Sequence, residues 1–147
     1  MSDFIVRDLQ ANDRAQWDPL WQGYLAFYET KLADDVTDVT FARLLDPAEP
    51  MFALVAERDG RLIGVVQNVI HRATWTKTHY CYLEDLFVAP AARGSGVGRA
   101  LIEAVYARAD VLGATRVYWL THEANTAARR LYDAVAKNAG FIQYRRA

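Results

Sequence analysis

The chain is poor in the devices that stabilise or anchor many small proteins. It has one cysteine in 147 residues, Cys81, which excludes an intrachain disulfide. No apolar run approaches the roughly 20 residues that a spanning helix requires. The opening Met1-Ser2-Asp3-Phe4-Ile5-Val6-Arg7 lacks the apolar stretch of a secretory signal, so no membrane partner and a cytoplasmic location are expected. A net charge of -1 gives the whole chain no basic footprint, and no nucleic-acid partner is expected. His71, His79 and His122 show no metal-ligand spacing, so no metal site is expected. There is no repeat, low-complexity tract or linker, and residues 1–147 read as one domain.

What is present suits a packed core. Hydrophobic residues make up 52% and charged residues 24% of the chain. A domain of this length buries roughly two thirds of its unfolded surface. Phe4 to Arg7 reads as a first strand. Asp13 with Gln16 is a plausible capping pair, and Asp18-Pro19 offers a second helix start. The spacing of Trp21, Tyr24, Leu25 and Tyr28 puts large side chains on one helical face. An acidic link with Glu29, Asp34, Asp35 and Asp38 precedes a short helix from about Thr37 to Leu45.

Met51 to Glu57 and Arg61 to Ile70 read as strands joined by a hairpin at Asp59-Gly60. Tyr80 to Val88 is a third strand in succession, and the periodic apolar stripe from Val97 to Leu112 is helical, with Gly113 as its C-terminal glycine. A strand over Thr115 to Thr121 then requires a parallel pair with a right-handed crossover. Asn125 caps a last helix burying Ala128, Leu131, Tyr132 and Val135, and Phe141 to Arg145 alternates as a final strand. The sum is an α/β, mixed α+β, fold: one mixed sheet with antiparallel N-terminal strands, a parallel central pair and helices on both faces.

The most informative stretch is the strand, turn and helix start from Cys81 to Gly98. Arg93, Gly94, Ser95, Gly96, Val97 and Gly98 lie where the backbone must bend tightly and aim N–H groups at one point ahead of a helix, which is an anion site. The dinucleotide pattern G-x-G-x-x-G fails, because the third position after Gly96 is Arg99, and no Gly-Lys-Ser/Thr forms a Walker loop.

The run Tyr82-Leu-Glu-Asp-Leu-Phe-Val88 followed by Arg93-Gly-Ser-Gly-Val-Gly98 resembles the central motif of the GNAT superfamily of N-acetyltransferases. Its opening is similar to that of the diamine (spermidine/spermine) acetyltransferases. Asn125-Thr-Ala-Ala-Arg-Arg-Leu-Tyr132 with Gly140-Phe141 resembles the family's closing helix and last strands, although seven residues, Asp133 to Ala139, separate Tyr132 from Gly140 where many members have three. The longer form is similar to a branch of histone or polyamine acetyltransferases.

The resemblance implies an acetyl-CoA-dependent enzyme that acetylates a primary amine of a small molecule by direct transfer in a ternary complex. The same motifs leave open a protein or peptide acetyltransferase, or a catalytically silent acyl-CoA-binding module. The coenzyme A diphosphate is expected on Arg93 to Gly98, and the pantetheine arm along Leu86, Phe87 and Val88, with Asn125 and Tyr132 also on the cofactor. Glu84 matches the family's general base, acting directly or through water, with Asp85 as the fallback. Simple alternation puts Glu84 on one strand face with Tyr82, Leu86 and Val88, and Asp85 on the other.

Tyr132 matches the group that meets the departing sulfur. A phenol near pKa 10 is a weaker acid than a thiol near about 8.5, so hydrogen bonding to the developing thiolate is the safer role. Acceptor contacts are expected from Trp21, Tyr24, Tyr28, Glu29, Trp75 and Glu84, aromatics and acids that suit a cation. A homodimer is expected from family habit.

Overall fold

Strands Ile5–Asp8 (β1), Met51–Arg58 (β2), Arg61–His71 (β3), Tyr80–Val88 (β4) and Val117–Tyr118 (β5) form one sheet in that order in the computed structural model, which describes residues 3–147. Neighbours from β1 to β4 are antiparallel and β4 with β5 is parallel. Asp59 and Gly60 both take left-handed φ, 52° and 77°, the geometry of a tight hairpin turn.

Alternation along β2 divides the core between two faces. Ala53 and Val55 meet the helices Arg14–Phe27 (α1) and Asp34–Leu45 (α2) through Trp17, Leu20, Trp21, Leu25, Phe41 and Leu44. Leu54 and Ala56 face Val97, Leu101, Ile102 and Val105 of the helix Val97–Leu112 (α3), beside Leu131 and Val135 of Thr126–Val135 (α4). The Gly113 turn that closes α3 has φ 79°, as its C-terminal position requires. Among the described residues no helix is long and apolar enough to cross a membrane.

Four local expectations are corrected. Asp13 does not pair with Gln16: its carboxylate accepts from the Gln10 amide at 2.7 Å and from Arg7, while Gln16 clasps the hairpin, accepting from Leu62 N and donating to the Gly60 carbonyl. Pro19 does not restart the helix but lies inside a continuous α1, where it gives up one rung of the ladder, the bond to the Ala15 carbonyl. Helix α2 starts at Asp34, where Asp34 and Asp35 meet the positive end of the helix dipole.

Phe141 to Arg145 is not a strand. Alternation needs a neighbouring ladder, and residues 136–147 lie in no strand, with Phe141 88% and Tyr144 90% exposed.

Candidate functional site

The turn before α3 has the geometry the glycine spacing implies. Gly94 and Gly96 sit at φ 82° and 85°, and a Cβ built at either meets nothing within 4 Å, so the turn opens outward. From Gly94 to Arg99 no amide donates to another group of the described residues. A run of unspent N–H groups at the start of a sixteen-residue helix fits a diphosphate. Ser95 turns its hydroxyl inward to the Ala92 carbonyl, and Arg93 bonds the Val88 carbonyl at 3.1 Å with its guanidinium over Phe87. Gly98 lets α4 approach, since a Cβ there would stand 3.2 Å from Leu131 Cδ2.

Strand β5 pairs with β4 only at Cys81 and Tyr82, so from Leu83 to Val88 that side of β4 has no strand beside it among the described residues. Such an edge has room for an extended ligand to run beside the backbone of β4. Asn125 acts as the cap of α4, accepting from the Ala128 amide at 3.4 Å.

The carboxylates are arranged by a β-bulge. Gln67 opposes Asp85 and Asn68 opposes Leu83, which leaves Glu84 as the extra residue. The bulge corrects the expected faces. Tyr82 opposes Val69 and Asp85 opposes Gln67, so these two share the α1 face, while Leu86, opposite Val66, points to the α3 core. Glu84 shares no simple alternation with either set, and it is exposed.

Asp85 is held in a buried chain of bonds. The Trp17 indole donates to Gln67 Oε1 at 2.7 Å, and Gln67 Nε2 donates to Asp85 Oδ2 at 2.8 Å. Burial raises the Asp85 pKa to about 6 against the pull of Gln67, with the neighbouring Glu84 charge adding to the rise. Tyr24 reaches the bulge from α1 and donates to the Glu84 carbonyl at 3.3 Å.

A pocket of about 190 Å³ is lined by Trp21, Leu32, Thr40, Met51, Gln67, Asn68, Val69, Glu84 and Asp85, with no lysine or arginine in the lining. Trp21 stacks on Tyr24 and Tyr24 lies against Tyr28, whose ring approaches His122 at 5.7 Å. Tyr132 packs edge-on to Trp119, and burial, then the proximity of Tyr28, raises its pKa.

The structure therefore brings Trp21, Tyr24, Glu84 and Asp85 together, with Tyr28 coupled to both Asp85 and Tyr132. Trp75 stands 80% exposed beside Arg116, and Glu29 is exposed past the end of α1; neither lines the pocket. Sequence reasoning missed Trp17 and Gln67. Their only signal was two adjacent amides, Gln67-Asn68, inside the otherwise apolar run of β3. Gly23 was missed too: a Cβ there would lie 2.8 Å from Phe87, so the glycine lets α1 sit on the strand.

The acetyltransferase (GNAT) family model matches residues 14–141. The chain is 37% identical over 144 residues to the D-amino-acid N-acetyltransferase HPA3 of Saccharomyces cerevisiae, covering 97% of this chain and 89% of that protein. Its fold is similar to that of the aminoglycoside N-acetyltransferase AAC(6')-Iy in complex with CoA, at TM-score 0.85 and 21% identity over 100% of this chain and 96% of the other. A ribosomal-protein-alanine N-acetyltransferase from Brucella melitensis biovar Abortus 2308 superposes at TM-score 0.83, with 22% identity over 99% of both chains.

Proposed function

This chain belongs to the GNAT acetyltransferase family and takes its acetyl group from acetyl-CoA, and on that premise we propose that it acetylates a primary amine of a small, cationic molecule, with Asp85 as the base and Tyr132 as the hydrogen-bond donor to the leaving sulfur. The observation that carries this reading is the half-buried Asp85, bonded to the buried Gln67 and with a pKa of about 6, lining a small acidic and aromatic pocket beside the open edge of β4.

The acceptor arrives as an ammonium ion. A lysine-like amine of pKa about 10.4 is almost wholly protonated at neutral pH, and losing that proton costs about 4.6 kcal/mol at pH 7. Glu84 and Asp85 attract the cation, and the ring of Trp21 gives it an apolar wall. Asp85, ionised above about pH 6, accepts the proton directly or through water. Glu84 is exposed on the bulge and supplies charge at the mouth.

Acetyl-CoA, when bound, would supply the activated acetyl group: a C–N bond forms, the C–S bond breaks and coenzyme A leaves as the thiol, its sulfur taking the second proton that the acylated nitrogen sheds. Arg93 to Gly98 would hold its diphosphate, and Leu86 to Val88 its arm. Tyr132, whose raised pKa keeps it protonated, donates to the sulfur as charge develops. The proton taken by Asp85 returns to water.

Two carboxylates and no cation in the lining favour an amine of the diamine type over an amino acid, whose carboxylate would have no partner there. Among the described residues no cysteine or serine lines the pocket, which supports direct transfer in a ternary complex, and the exposed Phe141, Ile142 and Tyr144 support a homodimer. A panel of diamines, monoamines, D-amino acids and lysine peptides, followed by coenzyme A release, tests the substrate. Diamines turning over fastest supports the reading, and D-amino acids or peptides outrunning them refutes it.

A further inference from the structure

The Gln67 amide that faces Asp85 has a direction, and Trp17 fixes it from the buried side. A glutamine amide is nearly symmetric in shape, and either end of Gln67 would fit the space opposite Asp85. The two ends are opposite in effect: Nε2 donates to a carboxylate, while Oε1 would set its lone pairs against one. The Trp17 indole decides between them, because it can only donate. It does so at 2.7 Å to Oε1, which turns Nε2 towards Asp85 Oδ2 at 2.8 Å.

Trp17 is itself closely packed. Its side chain is 0% exposed, it is stacked on Trp21 at 5.7 Å, and it packs against Phe41 at 5.0 Å. Gln67 is 3% exposed, so water does not supply a substitute donor from its buried side.

We propose that Trp17 and Gln67 are positioning residues for acetyl transfer, an indole-to-amide relay that fixes the direction of the one amide facing Asp85 and so holds the base ready to accept a proton. The proposal rests on the reading of Asp85 as the base. Its weight comes from what else faces that carboxylate. The titratable groups are Glu84 and Tyr82 on β4, Tyr24 on α1 and Tyr28 at the cap that follows α1. Glu84 is a like charge, and the tyrosines are neutral at working pH. Among the described residues no lysine or arginine acts on Asp85. The ionised base therefore depends on a neutral donor, the Gln67 amide, because the one proton of the nearby Tyr24 hydroxyl goes to the Glu84 carbonyl.

The test compares the wild-type chain with Gln67→Met, Gln67→Glu and Trp17→Phe. Two quantities are measured: the pH profile of kcat/KM for a primary amine at saturating acetyl-CoA, and the titration of the Asp85 carboxyl followed directly by carbon NMR. Gln67→Met is expected to move the acid limb upward by about one pH unit, which is about a tenfold loss below the limb and almost none near pH 8.5. Trp17→Phe frees the amide and moves the limb the same way. Gln67→Glu keeps a partner for the indole but places a second carboxylate against Asp85, and moves the limb further.

A merely structural role predicts a uniform loss at every pH with the limb and the NMR titration unmoved, and that result overturns the proposal. Should Trp17→Phe fail to fold, the two Gln67 variants decide alone. Should Asp85→Asn keep full activity, the base reading fails separately, and the NMR titration in Gln67→Met still decides whether the relay holds the carboxylate.

Discussion

Tyr24 on α1 donates its hydroxyl to the main-chain carbonyl of Glu84, the residue that the β4 bulge leaves without a ladder partner. One contact thus ties the acceptor-side helix to the irregular point of the strand. The same hydroxyl is within reach of Asp85, and when its single proton turns from the carbonyl to the carboxylate it holds the ionised form. Tyr24→Phe is expected to cost about 1 kcal/mol of stability and to raise the apparent pKa of the acid limb. Chemical denaturation and a pH–rate profile check both halves, and a variant with lowered stability but an unmoved limb would leave Tyr24 only a structural part.

Asp85 should make the protein less stable as pH rises. Its folded pKa, about 6, lies above the unfolded value near 3.8, so the folded state binds the proton more tightly. The associated stability is full below the unfolded pKa and is lost as pH climbs through the folded one. The whole window is worth about 3 kcal/mol, of which about 2 kcal/mol falls between pH 4.5 and 7.5. Asp85→Asn removes that loss. Its stability relative to wild type is expected to improve by that amount from the acid to the neutral end, as read by urea unfolding at both.

Asp13 has the opposite sign. Hydrogen bonds from Arg7 hold its pKa below the ordinary value, so its contribution is present above the unfolded pKa and lost as pH falls through the lower folded one. Asp13→Ala leaves Arg7 with Glu57 as its one carboxylate partner among the described residues and is expected to cost about 3 kcal/mol near neutrality, with the difference shrinking below pH 4. Equal losses across that range in a thermal or urea series would contradict the assignment.

Gly96 is a second point where a single atom matters. At φ 85°, with open space around its Cβ direction, Gly96→Ala meets no clash but adopts a backbone that costs about 1–2 kcal/mol. The turn is expected to relax, weakening coenzyme A binding more than amine binding. Calorimetric titration with coenzyme A checks this, and unchanged affinity would free the turn of its assigned ligand.

Much of this arrangement was legible in the residues. Gly113 after Leu112, Asp59-Gly60 between two apolar runs, and Asn125 ahead of Ala128 each carry a local rule, and each stands where the rule puts it. The glycine turn was legible for the same reason, since positive φ at Gly94 and Gly96 is a property of the residue type. The faces of Glu84 and Asp85 were not. Period-two alternation assumes an unbroken ladder, and the extra residue at Glu84 is set by how β3 and β4 pair, a non-local event. Trp17 and Gln67 are fifty positions apart, and nothing local announces their contact. Phe141 to Arg145 failed for the complementary reason: the alternation is there, but no strand lies alongside.

Tyr132 sits against Trp119, which follows the last paired residue of β5, and it lies near Tyr28. Tyr132→Phe keeps the ring packing and removes only the hydroxyl. It is expected to bind coenzyme A normally while kcat falls by about 10² or more. Wild-type turnover in that variant would remove Tyr132 from the reaction.

The most direct measurement of the account is coenzyme A release by Asp85→Asn and Glu84→Gln with one good diamine across pH. The account predicts that Asp85→Asn loses about 10²-fold or more in kcat with its coenzyme A affinity intact and its acid limb gone. Glu84→Gln is predicted to raise the amine KM and keep the limb. An Asp85→Asn enzyme that turns over at the wild-type rate, with the limb still in place, would contradict it.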